Sequence, residues 1–259
     1  VATFRATPYT PAPSFIGGSQ ANSGLGLSLN SAGDFNGDGY QDFIVSAPQN
    51  QYAEGTANSA DIYLIYGTAG GIPSILDIDK MTASQGIHYT NTASGYDGYT
   101  GTVVKGIGDL NGDGYGDVVI GGLLGRNYVL WGGANKAGSL DLATMNAGAT
   151  ANGFMMYGSS EWFGDGMASA DLNRDGISYL IIGDSALAMG TDYGAVYVVL
   201  GGTSLDDGVS QTFGNLGTNG FKITGKKAFV VHGGSADMLV VAARTAGADD
   251  DNDGITLFA

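Results

Sequence analysis

Three short runs carry oxygen-bearing side chains at alternate positions: "DFNGDGYQD" from Asp34, "DLNGDGYGD" from Asp109 and "DLNRDGISY" from Asp171. In the first, Asp34, Asn36, Asp38 and Asp42 stand at positions 1, 3, 5 and 9, with Gly39 at position 6 and the Tyr40 carbonyl at position 7. Alternate carboxylate and amide oxygens converge on one point when a glycine at position 6 takes the sharp turn, which is how a loop wraps a hard cation such as Ca2+. The second run repeats the set as Asp109, Asn111, Asp113, Gly114, the Tyr115 carbonyl and Asp117. An EF-hand would need glutamate at position 12. Here that position holds Val45 and Ile120, so the loop belongs to another host motif.

The third run keeps Asp171, Asn173, Asp175 and Gly176 but has Tyr179 at position 9 and Arg174 at position 4, so weak binding or none is expected. A degenerate fourth, "ADDDNDGITLFA", has Asp249, Asp251, Asp253 and Gly254, with Leu257 at position 9, and reads as little more than an acidic turn. The alternative for all four is that Asn-Gly and Asp-Gly simply join strands. A hairpin turn needs one such dipeptide, whereas the first two runs space four ligand-type side chains.

Each clear run sits in the same order of elements. A Gly-rich lead-in precedes it ("SGLGLSLNSA", "GYTGTVVKGI", "EWFGDGMASA") and an apolar strand follows ("DFIVSA", "DVVIGG", "YLIIGD"). A further strand with alternating aromatics comes next ("DIYLIYG", "NYVLWGG", "AVYVVLGG"). The connections beyond are long enough for one more strand and a crossover. A unit of about four strands recurring at loosely even intervals suggests an all-β, propeller-like array of three to four blades rather than a solenoid. Approximate blades are 14–85, 86–152, 153–219 and, with least support, 220–259, within one domain over 1–259.

Composition agrees with this reading. An apolar fraction of 43% with 14% charged residues describes a folded chain, and 46 glycines without a three-residue period suit many tight turns. The net charge of −15, from 25 acids and 10 bases, repels nucleic acid and anionic membranes and favours cations as partners. No cysteine is present, which excludes disulfides, thiolate metal sites and cysteine nucleophiles. No apolar run reaches the roughly 18 residues that span a bilayer, so membrane insertion is not expected. The sequence opens at Val1 with no signal-peptide pattern, as a processed or trimmed product would.

The lead-in, the D-x-N-x-D-G-x-x-D loop and a strand ending in "AP" or "GG" resemble the FG-GAP repeats of the integrin α-subunit β-propeller and its bacterial relatives. "DFNGDGYQDFIVSAP" and "DLNGDGYGDVVIGG" carry the match, "WFGDGMASADLNRDG" supplies the Phe163–Gly164 pair, and "GTNGFKITG" looks like the entry to another repeat. The resemblance runs over about residues 14 to 225. It implies calcium in the loops on one face of a ring, and protein or carbohydrate ligands elsewhere, outside the cell or at its surface. That family usually closes seven blades. Three or four cannot close such a ring alone, which implies self-association or a larger parent chain. Residues 220–247, "GFKITGKKAFVVHGGSADMLVVAARTAG", also resemble the central β-domain of acyl-CoA dehydrogenases, although the rest of that family is not visible.

Catalysis is not expected. Only His88 and His232 could serve as general bases, they lie in different units, and no nucleophile elbow, zinc helix or phosphate loop is present. The alternating aromatics Tyr63, Tyr66, Tyr128, Trp131 and Tyr197 fit strand packing better than a sugar platform. The expected role is a calcium-stabilised extracellular binding or adhesion module. A self-assembling surface or filament subunit and an accessory domain of a surface enzyme are the alternatives.

Overall fold

The computed structural model describes residues 15–18, 23–48, 60–73, 75–92, 100–122, 125–134, 136, 138–145, 151–158, 162–185, 194–202, 205, 211–212, 220–224, 241–244 and 255–258. Among them the regular structure is all-β apart from short 3-10 turns. Strands are numbered in chain order. The first sheet is antiparallel, with β2 (Leu29–Gly33), β3 (Asp42–Pro48), β4 (Ala60–Ile65) and β6 (Gly86–Asn91) side by side. The second repeats the plan with β7 (Val103–Gly108), β8 (Asp117–Gly121), β9 (Arg126–Leu130) and β11 (Gly153–Tyr157), and the third with β12 (Phe163–Ala170), β13 (Tyr179–Asp184), β14 (Ala195–Val199) and β16 (Gly220–Thr224). The fourth strands begin at residues 86, 153 and 220, where the sequence reading begins new units; each pairs with the third strand of the sheet before it.

A short strand in each third connection reaches back to a neighbour. β10 (Ser139–Asp141) pairs in parallel with β6, and β15 (Gln211–Thr212) with β11. The same connection in the first unit, β5 (Ile75–Asp77), pairs in parallel with β1 (Phe15–Gly17). A two-stranded piece, β17 (Val241–Arg244) with β18 (Ile255–Phe258), flanks the fourth acidic run. That run, His232 and most of the segment resembling acyl-CoA dehydrogenases lie outside the described residues.

Strand pleating explains the apolar runs. In β8, Val118 and Ile120 face the first sheet while Val119 faces the third; in β9, Tyr128 and Leu130 point one way and Val129 the other. The second sheet is therefore buried on both faces, and its strands need no polar alternation. Each such side chain contributes about 1.5–3 kcal/mol. All five alternating aromatics, Tyr63, Tyr66, Tyr128, Trp131 and Tyr197, are buried in these cores, as strand packing requires.

Candidate metal loops

Each acidic run connects the first and second strands of its sheet. A β-bulge precedes the first two, with Gly33 and Gly108 at φ 72° and 71°. In the first loop Asp34 Oδ1 accepts the N–H groups of Gly37 (2.8 Å) and Asp38 (3.0 Å), and Oδ2 accepts that of Gly39 (2.9 Å). Asp38 Oδ1 accepts the Tyr40 N–H at 2.9 Å, and Asn36 Nδ2 donates to Asp38 Oδ2 at 3.0 Å. Positions 1, 3 and 5 thus turn into the same loop interior. The second loop repeats every bond: Gly112, Asp113 and Gly114 donate to Asp109, Tyr115 donates to Asp113, and Asn111 Nδ2 reaches Asp113.

The third loop keeps this turn. Arg174, Asp175 and Gly176 donate to Asp171, Ile177 donates to Asp175, and Asn173 Nδ2 lies 2.7 Å from Asp175 Oδ2. Arg174 takes φ 66°, the left-handed conformation that Gly37 (76°) and Gly112 (82°) hold in the other loops. The donated N–H bonds, that of Gly176 foremost, hold the Asp171 carboxyl below its ordinary range.

The ninth position behaves differently from positions 1, 3 and 5. Asp42 and Asp117 are buried, and each spends both carboxylate oxygens on backbone. Asp42 Oδ2 accepts the Phe35 N–H and Oδ1 the Gly67 N–H, both at 2.8 Å. Asp117 does the same with Leu110 (2.7 Å) and Gly132 (2.8 Å). They clamp the loop entrance to the glycine that ends the third strand. The sequence reading gave these aspartates to the cation alone; the glycine in "IYG" and "LWGG" was the available sign of the clamp.

Burial pushes the Asp117 carboxyl up to about 7, against the lowering effect of the Gly132 and Leu110 N–H bonds, and the nearby Asp113 and Asp109 charges push the same way. Burial likewise raises Asp42, with Asp38 adding like charge. Among the described residues, no three His, Cys, Asp or Glu side chains already stand at metal-binding separation. The donor set is nevertheless all oxygen and mostly carboxylate, and among the described residues no cationic side chain pairs with it, which leaves like charges that a hard divalent cation would neutralise. The residues fit such an ion.

Consecutive loops interlock. The Gly116 N–H donates to the Asp34 carbonyl and the Ser178 N–H to the Asp109 carbonyl. Gly133 and Gly202 donate to the carbonyls of Phe35 and Leu110. The Tyr115 ring lies on Gly37, where a Cβ would come within 2.3 Å of it, and Ile177 lies over Gly112. Away from the loops, His88 Nε2 sits 2.7 Å from Asp61 Oδ1 and its ring stacks on Tyr63 at 4.6 Å.

Comparison with known families matches the FG-GAP repeat model to residues 28–64, the span from the first lead-in through β4. The chain is 33% identical to integrin alpha-E of Mus musculus over 101 residues, covering 39% of this chain and 8% of that protein. It is 38% identical to integrin alpha pat-2 of Caenorhabditis briggsae over 97 residues, covering 38% and 7%. This is an FG-GAP-repeat, integrin-α-like chain, and its all-β sheets are those of a propeller-type repeat array. It matches only a small fraction of the length of those relatives.

Proposed function

We propose that this chain is a calcium-stabilised, non-enzymatic binding or adhesion module acting outside the cell or at its surface. Its ligands would be protein or carbohydrate, and the cation would serve structure rather than chemistry. The observation that supports this reading most is the recurrence of one Asp-Asn-Asp turn beside a buried ninth carboxylate, in Asp34–Asp42 and again in Asp109–Asp117. Asp34, Asn36, Asp38, the Tyr40 carbonyl and Asp42 would hold one ion; Asp109, Asn111, Asp113, the Tyr115 carbonyl and Asp117 a second. A bound divalent ion supplies the positive charge that these carboxylates lack. Asp171, Asn173 and Asp175, without a ninth acid, would hold one weakly or not at all.

The loops would then act as staples. Each of the first two fixes the lead-in strand against the next, and its backbone carbonyls receive N–H groups of the following unit, so ordering a loop orders the joint between two sheets. Extracellular modules hold calcium with constants of about 10⁻⁴ to 10⁻³ M, which keeps such sites filled outside cells and links stability to the ion by mass action. No helix among the described residues is long and apolar enough to cross a membrane.

Titration calorimetry on chelator-stripped protein tests the reading. Two strong ions per chain, with a melting temperature that rises with calcium, are expected. Absence of binding would reduce the runs to turns and remove calcium from the proposal.

A further inference from the structure

The exposed large apolar side chains of the described residues belong to the first and third units. Leu27, Leu29, Tyr40 and Ile75 belong to the first unit, Leu172, Val196 and Phe221 to the third, and none to the second. Aligning the units on the first aspartate of each loop explains them. Leu29 corresponds to Val104, which is 2% exposed against the first sheet, whereas Leu29 is 64% exposed. Leu172 corresponds to Phe35 and Leu110, both fully buried beneath the next unit, yet is 53% exposed. These are packing positions of the repeat that, among the described residues, lack a neighbouring sheet.

The backbone repeats the pattern. Gly116 and Ser178 donate to the preceding loop, as do Gly133 and Gly202. Their counterparts in the first unit are the N–H groups of Gln41 and Thr68, for which the described residues provide no acceptor. The strands agree as well. β10 and β15 each pair in parallel with the fourth strand of the preceding sheet, so β1, paired in parallel with β5, occupies the fourth-strand place of a sheet before the first. Among the described residues its other edge is unpaired, which leaves a ladder for an added strand.

The geometry also selects the occupant. Tyr40 is the counterpart of Tyr115, whose ring lies where a Cβ on Gly37 would be 2.3 Å away. A sheet that docks under Tyr40 therefore needs glycine at loop position 4. Of the described sheets, a second copy would present its third, whose position 4 is Arg174 in the same left-handed conformation at φ 66°. Its Cβ and side chain would stand in the place of the tyrosine ring. The fourth acidic run has Asn252 at that position.

We propose that the outward face of the first sheet, with the free edge of β1, receives a further FG-GAP sheet whose acidic loop has glycine at position 4, and that Arg174 keeps a second copy of this chain out. This rests on the propeller-type repeat array and does not depend on the calcium assignment. Measurements in calcium and in chelator separate the two, because loss of ion binding alone leaves the glycine requirement standing.

The test uses the intact chain. Sedimentation velocity of the unaltered protein is expected to give a monomer, with rapid hydrogen exchange at Gln41 and Thr68 and slow exchange at Gly116 and Gly133. Arg174→Gly turns the third sheet into the required partner. Its mass should rise with concentration toward multiples of one chain, Gln41 and Thr68 should become protected, and a second change, Leu29→Asp or Tyr40→Asp, should restore the monomer. Circular dichroism of each variant checks that the fold is kept. Three results would overturn the proposal: self-association of the unaltered chain that Leu29→Asp abolishes, a natively folded Arg174→Gly that stays monomeric, or protection of Gln41 and Thr68 in the unaltered monomer.

Discussion

In the second acidic loop Asp117 lies buried between the Leu110 and Gly132 N–H groups; in the third, Tyr179 stands at that position and the corresponding amides, those of Leu172 and Gly201, have no acceptor among the described residues. Yet the turn from position 1 to position 7 has the same hydrogen bonds in both. Two functions that look like one motif in sequence are therefore separable. Positions 1, 3 and 5 shape the turn, while position 9 ties the turn to the sheet and brings a negative charge into the interior.

The sharpest way to break this separation is Asp117→Ala. It leaves two buried N–H groups without acceptors, each costing about 1–3 kcal/mol, so a loss of about 2–6 kcal/mol is expected by urea unfolding in chelator. Asp175→Ala, in the exposed third loop, should cost far less. Equal losses would show that the ninth position is no special anchor.

A smaller effect separates contact between loops from strain within one. Gly37 and Gly39 both have positive φ, at 76° and 87°, but a Cβ on Gly37 would meet the Tyr115 ring while one on Gly39 would meet nothing within 4 Å. Gly39→Ala should cost only the left-handed strain, roughly 1–2 kcal/mol. Gly37→Ala should cost more, and the excess should vanish when combined with Tyr115→Ala. An excess that survives the double change would mean that the first two loops do not interlock in solution.

Much of this architecture was legible in sequence because the repeat is local. The apolar strands, the lead-ins and the glycine at position 6 are set by neighbours a few residues away, and their order predicts sheets of like construction. The fourth strands were less legible. "GIHYTN" and "GFMMY" follow long connections, and only pairing with β4 and β9 assigns them to the preceding sheets. The double role of Asp42 and Asp117 was also hidden, because the second amide each one accepts, that of Gly67 or Gly132, lies 25 or 15 residues away. Tyr40 and Tyr115 were read through their carbonyls, and nothing in a single unit shows that the ring of one unit needs the glycine of another.

The mildest change runs the comparison in reverse, by giving the third loop the anchor it lacks. Tyr179→Asp places a carboxylate at position 9, within the same turn and beside the Leu172 and Gly201 amides, which have no acceptor among the described residues. In chelator the new charge gains two N–H donors but loses the half-buried tyrosine ring, so stability should change little. In calcium the loop would then hold Asp171, Asn173, Asp175 and a ninth acid, the set found in its two predecessors. Calorimetry should count one more strong ion than in the unaltered chain, and the unfolding midpoint should rise with calcium more steeply. If the count stays the same, Arg174, with its positive charge at position 4, is what disables the third loop, and Arg174→Gly in the same background should restore the missing ion.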